Sequence, residues 1–468
     1  MKILLVVYDN GTYINVFPQG LAYIAAILLK EGYKVEIYSQ DFQHYPDEHL
    51  TQYLDNNRFD VVGVSVIGGY YQYRKLLKIS EAINKSKNRP FYIIGGHGPS
   101  PEPEYFLEKT KADVVVIGEG EVTIVKLLEA WGARRPLSSV KGIAYQNGSG
   151  VVINERQPLV EDIDSIPFPA FELFPIEYYR LYCGPLAKST DFGMRVLSSR
   201  GCTFLCNFCY RLDKGFRPRS NESVIEEILL LKHRYGITYI NFADELLMST
   251  VERTVSLCEY FLKADVKFKW ICNGRLNFTK PEVLKIMKRA GCIFINYGIE
   301  AMDNQVLRNM NKALTTEIII TGIEATLKEG ISPGLNIIFG NIGDNKNTLN
   351  KAVKFLLKYD DGSQLRTIRP VTPYPGSPLY YYAIEKNLLK DCADFYENKH
   401  VNSDLLSVNF TEMSDDEFHQ SLFEANQELL TNYYQKKLSL SVEEAKKLYS
   451  RRDVSFRGFS KKLELNPP

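Results

Sequence analysis

Short apolar runs alternate with helical segments in two separate stretches of this chain, and this alternation limits the folds open to it. In residues 1–130 the apolar run Ile3–Val7 is followed by runs rich in β-branched residues at Val35–Tyr38, Val61–Val66, Phe91–Ile94 and Val114–Ile117. Strands that are apolar along their whole length are buried on both faces, as in a parallel sheet covered by helices. The pattern predicts a doubly wound, Rossmann-like domain whose ligands bind beyond the carboxyl ends of its strands.

The alternation starts again at Arg195, after a proline-rich connector. The second set of predicted strands is Arg195–Ser199, Thr238–Ala243, Lys267–Cys272, Ile293–Tyr297, Leu335–Phe339 and Leu365–Ile368. Six βα units predict a partial (β/α)6 barrel with its mouth at the strand C-termini. We therefore predict an α/β chain with a doubly wound domain at 1–135, a connector at 136–190, the partial barrel at 191–380 and a helical C-terminal region at 381–468.

Charge and apolar content bear on partners and location. The 57 Lys and Arg residues balance the 56 Asp and Glu residues, which gives no reason to expect nucleic acid or an anionic membrane as partner. No apolar run reaches the roughly 18 residues of a membrane span. The opening run, Met1–Tyr8, has the pattern of a buried strand and lacks the features of a signal peptide. We therefore expect a cytoplasmic protein with reduced cysteines.

Three cysteines, Cys202, Cys206 and Cys209, follow a C-x3-C-x2-C spacing on the loop that leaves the first barrel strand. Three thiolates can hold three irons of a [4Fe-4S] cubane and leave the fourth iron open for a chelating substrate. The alternative is a zinc site, although structural zinc usually has four ligands. The nearest other candidates along the chain are Cys183 and His233. The spacing therefore favours an iron–sulfur cluster.

The cysteine triplet resembles the signature of the radical SAM superfamily, and the resemblance continues at later strand ends. Asp244-Glu245 is similar to the acidic motif that receives the amino group of S-adenosylmethionine (SAM), although many relatives carry two aspartates there. Arg275 is similar to the arginine that reaches the SAM carboxylate or ribose. Gly298-Ile299-Glu300 matches the G-I-E motif, whose glutamate lies near the ribose.

The arrangement of these residues along the chain strengthens the resemblance to the radical SAM superfamily. A carboxylate or an arginine at one strand end is often only a solvated loop residue or a helix cap. Here such residues follow consecutive strands, where barrel chemistry is built. The resemblance implies a cluster held by the three cysteines and SAM contacts from Phe208, Tyr210, Asp244, Glu245, Arg275 and Glu300.

The N-terminal domain resembles cobalamin-binding domains of the mutase type, which carry D-x-H-x-x-G, then S-x-L/V/T, then G-G. Ser65-Val66-Ile67 and Gly95-Gly96 match the last two elements, with 27 residues between them. Small residues at these two strand ends would open a slot for the nucleotide tail of cobalamin. The segment 15–20 stands in the place of D-x-H-x-x-G, 44 residues before Ser65, and Phe17 replaces the histidine that ligates cobalt.

The resemblance thus implies cobalamin bound without a histidine ligand from the protein. Asp47-Glu48-His49 contains another D-x-H, but no glycine follows at position 52. Glycines at strand ends are common to all doubly wound domains. The inference that cobalamin binds therefore rests on the spacing between the two motifs and on the predicted barrel that follows them. The implied cobalamin contacts are Phe17, Gly20, Ser65, Gly95, Gly96, His97, Gly118, Glu119 and Gly120.

The whole chain resembles the cobalamin-binding radical SAM family, in particular its branch of class B methylases and the anaerobic porphyrin-ring cyclase. This resemblance implies that a 5′-deoxyadenosyl radical from SAM removes hydrogen from an unactivated carbon of a small metabolite or of a peptide or protein residue. The substrate radical then takes a methyl group from methylcobalamin, and a second SAM restores that methyl group. An external one-electron reductant of the flavodoxin or ferredoxin type is implied as a partner.

The sequence leaves one alternative function open and argues against three others. Radical cyclisation or rearrangement without methyl transfer uses the same cofactors, and no motif separates it from methylation. A non-catalytic cobalamin carrier or sensor has no use for the acidic, arginine and G-I-E positions. A methylthiotransferase needs three N-terminal cysteines, whereas the first cysteine here is Cys183. An enzyme with auxiliary clusters needs many C-terminal cysteines, and only Cys392 follows Cys292.

Overall fold

The computed structural model describes residues 1–9, 11, 16–211, 213 and 215–452 of the chain. Its N-terminal domain contains five parallel strands close to the predicted positions. These strands are β1 (Lys2–Val7), β2 (Lys34–Ser39), β3 (Val61–Ser65), β4 (Phe91–Gly95) and β5 (Val114–Val116). The helices of this domain are α1 (Gln19–Lys30), α2 (Gln40–Gln43), α3 (Asp47–Asn56), α4 (Tyr70–Lys85), α5 (Pro103–Thr110) and α6 (Gly120–Gly132).

The five strands form a doubly wound sheet in the order β2-β1-β3-β4-β5, which confirms the predicted fold class. Successive residues of β1 serve opposite faces: Ile3 and Leu5 belong to one buried cluster, and Leu4 and Val6 belong to the other. The strand order reverses between β1 and β3, and a crevice outside the strand ends is expected at such a point. The fold therefore directs ligands to the loops that follow β1, β3 and β4.

A β-hairpin extends this sheet beyond the predicted end of the domain. Strands β6 (Ile143–Asn147) and β7 (Gly150–Ile153) pair antiparallel, and β6 also pairs antiparallel with β5. The prolines of the 136–190 segment predicted irregular structure, and the hairpin was not expected there. Burial of Ile143 and Ala144 against β5 explains why it forms. The rest of this segment includes the short helix α7 (Ile176–Tyr179).

The second half of the chain forms a six-stranded parallel sheet, as predicted. Its order is β15-β14-β13-β12-β11-β8, where the strands are β8 (Gly193–Val196), β11 (Tyr239–Phe242), β12 (Lys269–Gly274), β13 (Cys292–Glu300), β14 (Ser332–Phe339) and β15 (Arg369–Pro370). The outer helices are α8 (Asn221–Tyr235), α9 (Val251–Lys263), α10 (Pro281–Arg289), α11 (Asn304–Asn309), α12 (Thr316–Lys328) and α13 (Lys346–Lys358). In the described part of the chain β8 and β15 do not pair, so the barrel is partial.

The first and last predicted barrel strands differ from the structure. The predicted strand Arg195–Ser199 is divided between β8 and β9 (Ser199–Cys202), and β9 leaves the barrel to pair antiparallel with β10 (Gly215–Pro218). The predicted strand Leu365–Ile368 precedes the two-residue strand β15, which pairs with the end of β14. These departures place a hairpin, rather than a simple loop, in front of the cysteines.

The C-terminal region is helical, as predicted. Helix α14 (Pro378–Glu385) is followed by a π-helical turn at Asp394–Lys399 and by the long helix α15 (Asp415–Arg451). A capping box between Ser414 and Glu417 begins α15. Within the described residues, no helix combines the length and the apolar character that crossing a membrane requires.

Candidate active site

The cysteine loop connects the two strands of the β9–β10 hairpin. Cys202 is the last residue of β9 and lies opposite Gly215 of β10. Cys206 is buried, Cys202 is half-buried and Cys209 is exposed. The three thiols therefore lie along a loop that runs from the barrel wall into the open mouth.

The electrostatics of these thiols fit a cationic cluster. Desolvation, followed by the negative charges of Cys206 and Glu245, raises the pKa of the Cys209 thiol to about 11, and Cys202 adds to the effect. Three thiolates held this close repel one another unless positively charged iron lies between them. Among the described residues, no group of three or more His, Cys, Asp or Glu side chains could hold a single metal ion.

Asn207 anchors the loop between the second and third cysteines. Its side chain exchanges amide hydrogen bonds of 3.0 and 3.2 Å with buried Asn341, in the loop after β14. The backbone N–H of Asn207 donates to the carbonyl of Met310, and its own carbonyl accepts from Leu379 N–H. The loop Gly340–Asp344 thus positions the cysteine loop through Asn341.

Asp244, at the end of β11, faces the cysteine hairpin rather than solvent. Its fully buried carboxylate accepts hydrogen bonds from Ser198 N–H at 3.1 Å, from Ser198 Oγ at 2.8 Å and from Ser199 Oγ. Ser198 precedes β9 and Ser199 begins it, so Asp244 fixes the strand that carries Cys202. Its predicted contact with SAM stays a prediction.

Glu245 is the member of the acidic pair that faces the open mouth. Its side chain is exposed, and its charge is felt by the Cys209 thiol. Desolvation raises the pKa of Glu245 against the opposing charge of Arg211. Of the two carboxylates, Glu245 is therefore the exposed one near Cys209, and its contact with SAM stays a prediction.

Arg275 stacks against the cysteine loop. Its guanidinium carbon lies 3.3 Å from the ring centroid of Phe204, between Cys202 and Cys206. Its Nη2 donates to the backbone carbonyl of Lys312, and its Nε donates to Asn277 Oδ1 at 3.0 Å. Arg275 is thus held beside the loop, as its predicted role in binding SAM requires.

Lys312 is a site residue that the sequence did not reveal. It is buried, its Nζ lies 2.8 Å from Glu300 Oε1, and the same Nζ lies 5.7 Å from the ring centroid of Phe208. A Cβ on Gly298 would overlap Glu300 Oε1 and lie 2.9 Å from Lys312 Nζ, which explains the glycine of G-I-E. In sequence Lys312 follows Asn311 between two helices and resembles a solvated loop residue; only its burial distinguishes it.

The predicted cobalamin slot lies at the ends of β3 and β4. Ser65 and Gly95 are neighbours in register across these two strands. Gly96 adopts a φ of +98°, and a Cβ there would overlap the carbonyl oxygen of Val66 and lie 2.9 Å from Ser65 Oγ. Beside them the apolar side chain of Ile67 is 56% exposed. Small residues at the strand ends fit the predicted slot for the nucleotide tail, and the uncovered side chain of Ile67 offers an apolar surface beside it.

His97, next to this slot, contacts the cysteine loop. Its ring centroid lies 6.0 Å from that of Tyr210, the residue after Cys209, in an edge-to-face arrangement. The phenol oxygen of Tyr210 is buried without a hydrogen-bond partner. The predicted cobalamin loop and the predicted cluster loop therefore contact each other through these two side chains.

Phe17 and Gly20, at the start of α1, occupy different surroundings. Phe17 is buried, with its ring centroid 5.4 Å from Phe171, 5.3 Å from Phe174 and 5.6 Å from Tyr179. No atom lies within 4 Å of a Cβ built on Gly20. Asn15, which begins the segment compared with D-x-H-x-x-G, lies outside the described residues.

The 118–120 segment connects the two domains. Glu119 accepts hydrogen bonds from Arg217 at 2.6 and 3.1 Å and lies 3.3 Å from Arg200. Gly118 has a φ of +95°, and a Cβ on Gly120 would lie 2.9 Å from Ile24 Cδ1. The carboxylate of Glu119 is thus engaged by arginines of the cysteine hairpin, and its contact with cobalamin stays a prediction.

Comparisons with known proteins agree with this division of the chain. The model of the radical SAM superfamily matches residues 196–356, and that of the B12 binding domain matches residues 12–128. Uncharacterized methyltransferase PH0819 of Pyrococcus horikoshii is 30% identical over 400 residues, which are 83% of this chain and 84% of that protein. Anaerobic magnesium-protoporphyrin IX monomethyl ester cyclase of Cereibacter sphaeroides is 27% identical over 78% of this chain and 60% of its own length.

A solved structure shares the fold across nearly the whole chain. The radical SAM methyltransferase TsrM of Kitasatospora setae, with cobalamin and a [4Fe-4S] cluster bound, matches with a TM-score of 0.74 at 17% identity, covering 92% of this chain and 88% of that one. Together with the two family models and the 30% identical relative, this places an N-terminal cobalamin-type domain in front of a radical SAM barrel. The chain belongs to the cobalamin-binding radical SAM enzymes, the family that contains both methyltransferases and the magnesium-protoporphyrin cyclases.

Proposed function

We propose that this enzyme methylates a carbon atom of an organic substrate, using SAM twice. The observation that supports joint use of cobalamin and the cluster is the contact between His97 and Tyr210, which brings the loop after Gly95-Gly96 against the residue that follows Cys209. Methylating relatives support it, among them PH0819 and the hopanoid C-3 methylase of Methylococcus capsulatus, which is 24% identical over 355 residues.

Different residues at the barrel mouth and at the neighbouring strand ends would bind the cluster, cobalamin and SAM. Cys202, Cys206 and Cys209 would hold the cluster, and Ser65 with Gly95 and Gly96 would hold cobalamin. When bound, these groups supply one-electron cleavage of SAM and a methyl group on cobalt. Glu245 would accept a hydrogen bond from the SAM amino group, and Arg275 would bind its carboxylate. Lys312, which pairs with Glu300 at 2.8 Å, would orient the carboxylate of Glu300 toward the ribose.

We also propose that the chain offers cobalt no histidine. Phe17 stands where mutase-type domains have the ligand, and its ring is packed among aromatic side chains. His49, in the other D-x-H, is stacked 4.0 Å from the ring centroid of Tyr45 and bonds Tyr38 OH through Nδ1. We expect the EPR spectrum of the Co(II) form to lack nitrogen superhyperfine splitting. A splitting that disappears in His97→Ala would contradict this.

We place the protein in the cytoplasm, with a flavodoxin or ferredoxin as electron donor. None of the eight cysteines, all within the described residues, forms a disulfide. The acceptor carbon would belong to a small metabolite or to a peptide or protein residue, and we expect no nucleic acid or membrane partner because the charge is balanced.

The first test is an anaerobic turnover of the reconstituted enzyme with SAM and dithionite, after iron and corrin have been measured. Formation of both 5′-deoxyadenosine and S-adenosylhomocysteine, with about one cobalamin per chain, supports methylation. Cysteine-to-alanine exchange at Cys206 is the matched control and should abolish 5′-deoxyadenosine.

Other outcomes separate the alternatives. 5′-Deoxyadenosine without S-adenosylhomocysteine from a cobalamin-loaded enzyme favours radical cyclisation, the reaction named for the 27% identical relative. Neither product from a fully loaded enzyme, across a range of candidate substrates, contradicts the proposal.

A further inference from the structure

Arg195 lies inside the barrel, on its first strand. Its neighbours Met194 and Val196 belong to the buried cluster between the sheet and the outer helices. Because successive side chains of a strand point to opposite faces, Arg195 faces the barrel interior. Across the strand pair it is in register with Asn241 of β11.

The guanidinium of Arg195 is not neutralised. Its Nε is buried without a hydrogen-bond partner, and among the described residues no carboxylate forms an ion pair with it. Desolvation lowers the pKa of Arg195, opposed only by the phenol of Tyr182. An arginine does not lose its proton in a protein, so this position holds a desolvated positive charge.

Other cations of the barrel have partners. Lys269 pairs with Asp191 at 2.8 Å, and Lys312 pairs with Glu300 at 2.8 Å. Arg275 donates to a carbonyl and to an amide oxygen. The contrast indicates that the missing partner of Arg195 is supplied from outside the chain.

A narrow pocket that opens to solvent adjoins this charge. Its walls combine one cation, one amide and aromatic rings: Arg195, Asn241, Tyr239, Tyr182, Tyr179 and Phe17. Asn241 has no side-chain hydrogen bond to a described residue. Apolar walls with a few polar groups are typical of small-molecule sites.

A row of amides leads from this level toward the mouth. Asn336 donates to Asn296 at 2.6 Å, Asn296 donates to Asn273 at 3.0 Å, and Asn273 donates to the carbonyl of Asp244 at 2.8 Å. Below it, Tyr239, Ile271 and Phe294 close the barrel with an apolar cluster. Polar side chains therefore line the barrel interior between the level of Arg195 and the mouth.

We propose that the substrate carries an anionic oxygen group, a carboxylate or a phosphate, and that Arg195 and Asn241 bind it inside the barrel. A guanidinium binds such a group through two parallel hydrogen bonds. The reacting carbon then lies at the other end of the substrate, near the mouth. This inference rests on the proposed function, because it assigns the anionic group to the substrate of that reaction. The predicted binding itself can be measured without turnover.

The test is calorimetric titration of the cluster- and cobalamin-loaded enzyme with benzoate, phenyl phosphate and the neutral isostere benzamide. We expect one of the two anions to bind, benzamide to bind at least about tenfold more weakly, and Arg195→Gln to weaken anion binding about ten- to hundredfold. Arg195→Lys should restore part of the affinity. Arg369→Gln, at an exposed ion pair with Asp404, is the matched control and should bind like the wild type.

Thermal unfolding separates binding from a structural role. Arg195→Gln removes an uncompensated charge, so it should unfold at the same or a higher temperature while losing the stabilisation by the anion. Preference for benzoate or for phenyl phosphate identifies the group. Equal binding of benzamide, no binding of either anion, or an unchanged affinity in Arg195→Gln overturns the proposal. Because no turnover is measured, failure here leaves the SAM products of the methylation test unaffected, and the reverse also holds.

Discussion

Glu119 of the N-terminal domain and Arg217 of β10 form a two-pronged ion pair, with N–O distances of 2.6 and 3.1 Å. Strand β10 pairs with β9, and β9 ends at Cys202. The N-terminal domain is thus bonded directly to the hairpin that presents the first cysteine. Arg200 of β9 adds a second link, since it pairs with Glu121 at 2.6 Å.

Glu119→Gln should destabilise the protein, because it leaves Arg217 partly buried without its counter-charge. Loss of one partner of such a pair costs about 2 to 5 kcal/mol. Thermal unfolding should therefore begin several degrees lower. The double variant Glu119→Gln/Arg217→Met should recover part of the loss, and Glu385→Gln, at an exposed ion pair with Lys386, should have little effect.

The same pair predicts a pH dependence. Burial alone would raise the pKa of Glu119, but Arg217 and Arg200 hold that pKa below its ordinary value. Its contribution to stability is therefore present above the ordinary carboxylate pKa and is lost as the pH falls through the lowered value. The difference in unfolding temperature between wild type and Glu119→Gln should shrink in acid; a constant difference would contradict the assignment.

Gly96→Ala should reduce cobalamin binding without loss of iron. The added methyl group would overlap the carbonyl of Val66, and the φ of +98° is unfavourable for alanine. We expect the corrin absorbance of the reconstituted protein to fall well below that of the wild type, with iron content unchanged. Gly148→Ala is the control, because no atom lies within 4 Å of a Cβ there. Full corrin content in Gly96→Ala would argue against a slot at this strand end.

Lys312→Met should weaken SAM binding while the cluster assembles normally. The variant leaves the carboxylate of Glu300 buried without its cation, and its orientation toward the ribose would be lost. Titration of SAM against the EPR signal of the reduced cluster should give about a tenfold or larger increase in Kd. Lys312→Arg should restore part of the affinity. An unchanged Kd for SAM in Lys312→Met would show that Lys312 serves only the packing of the protein.

His400→Phe should stabilise the protein, most clearly in mild acid. His400 is fully buried, stacked 5.0 Å from Phe395, and neither ring nitrogen has a partner. Burial lowers its pKa to about 4. The unfolded chain binds a proton near the ordinary value of about 6.5, so the wild type loses stability as the pH falls from there toward 4.

Differential scanning calorimetry at neutral pH and at mildly acidic pH measures this effect. The advantage of His400→Phe over the wild type should grow as the pH is lowered. His233→Phe, at an exposed position, should show no such trend. An advantage that is the same at both pH values would show that His400 is not buried in its neutral form.

Much of the architecture could be predicted because its signals are local. The apolar strands of the N-terminal sheet are buried on both faces, so their sequences carry the pattern without interruption. The hairpin β6–β7 was missed because it completes the edge of a sheet formed far earlier in the chain. Asn147-Gly148 between two apolar runs is a local signal for a hairpin. Its pairing with β5, by contrast, depends on residues distant in sequence.

The places of the candidate site residues along the chain could be predicted, whereas most of their side-chain contacts could not. Asp244 and Glu245 follow a strand, as expected, but which one faces the mouth depends on Ser198 and Ser199, whose hydroxyl groups bind Asp244. Lys312 owes its place to Glu300 and to the packing of Phe208. Such partners are distant in sequence and come together only in the folded chain.

The barrel sheet ends at β8 on one side and at β15 on the other, and the two strands leave a gap in the described part of the chain. Beside β8 the connector residues Tyr179 and Tyr182 adjoin Arg195, and next to β15 Asn426 of α15 bonds the backbone of Ile368. Insertions or deletions in those bounding segments can enlarge or narrow the space without moving a cluster or SAM residue. A single catalytic core of this kind can accordingly diversify, over evolution or by engineering, toward acceptors of very different bulk.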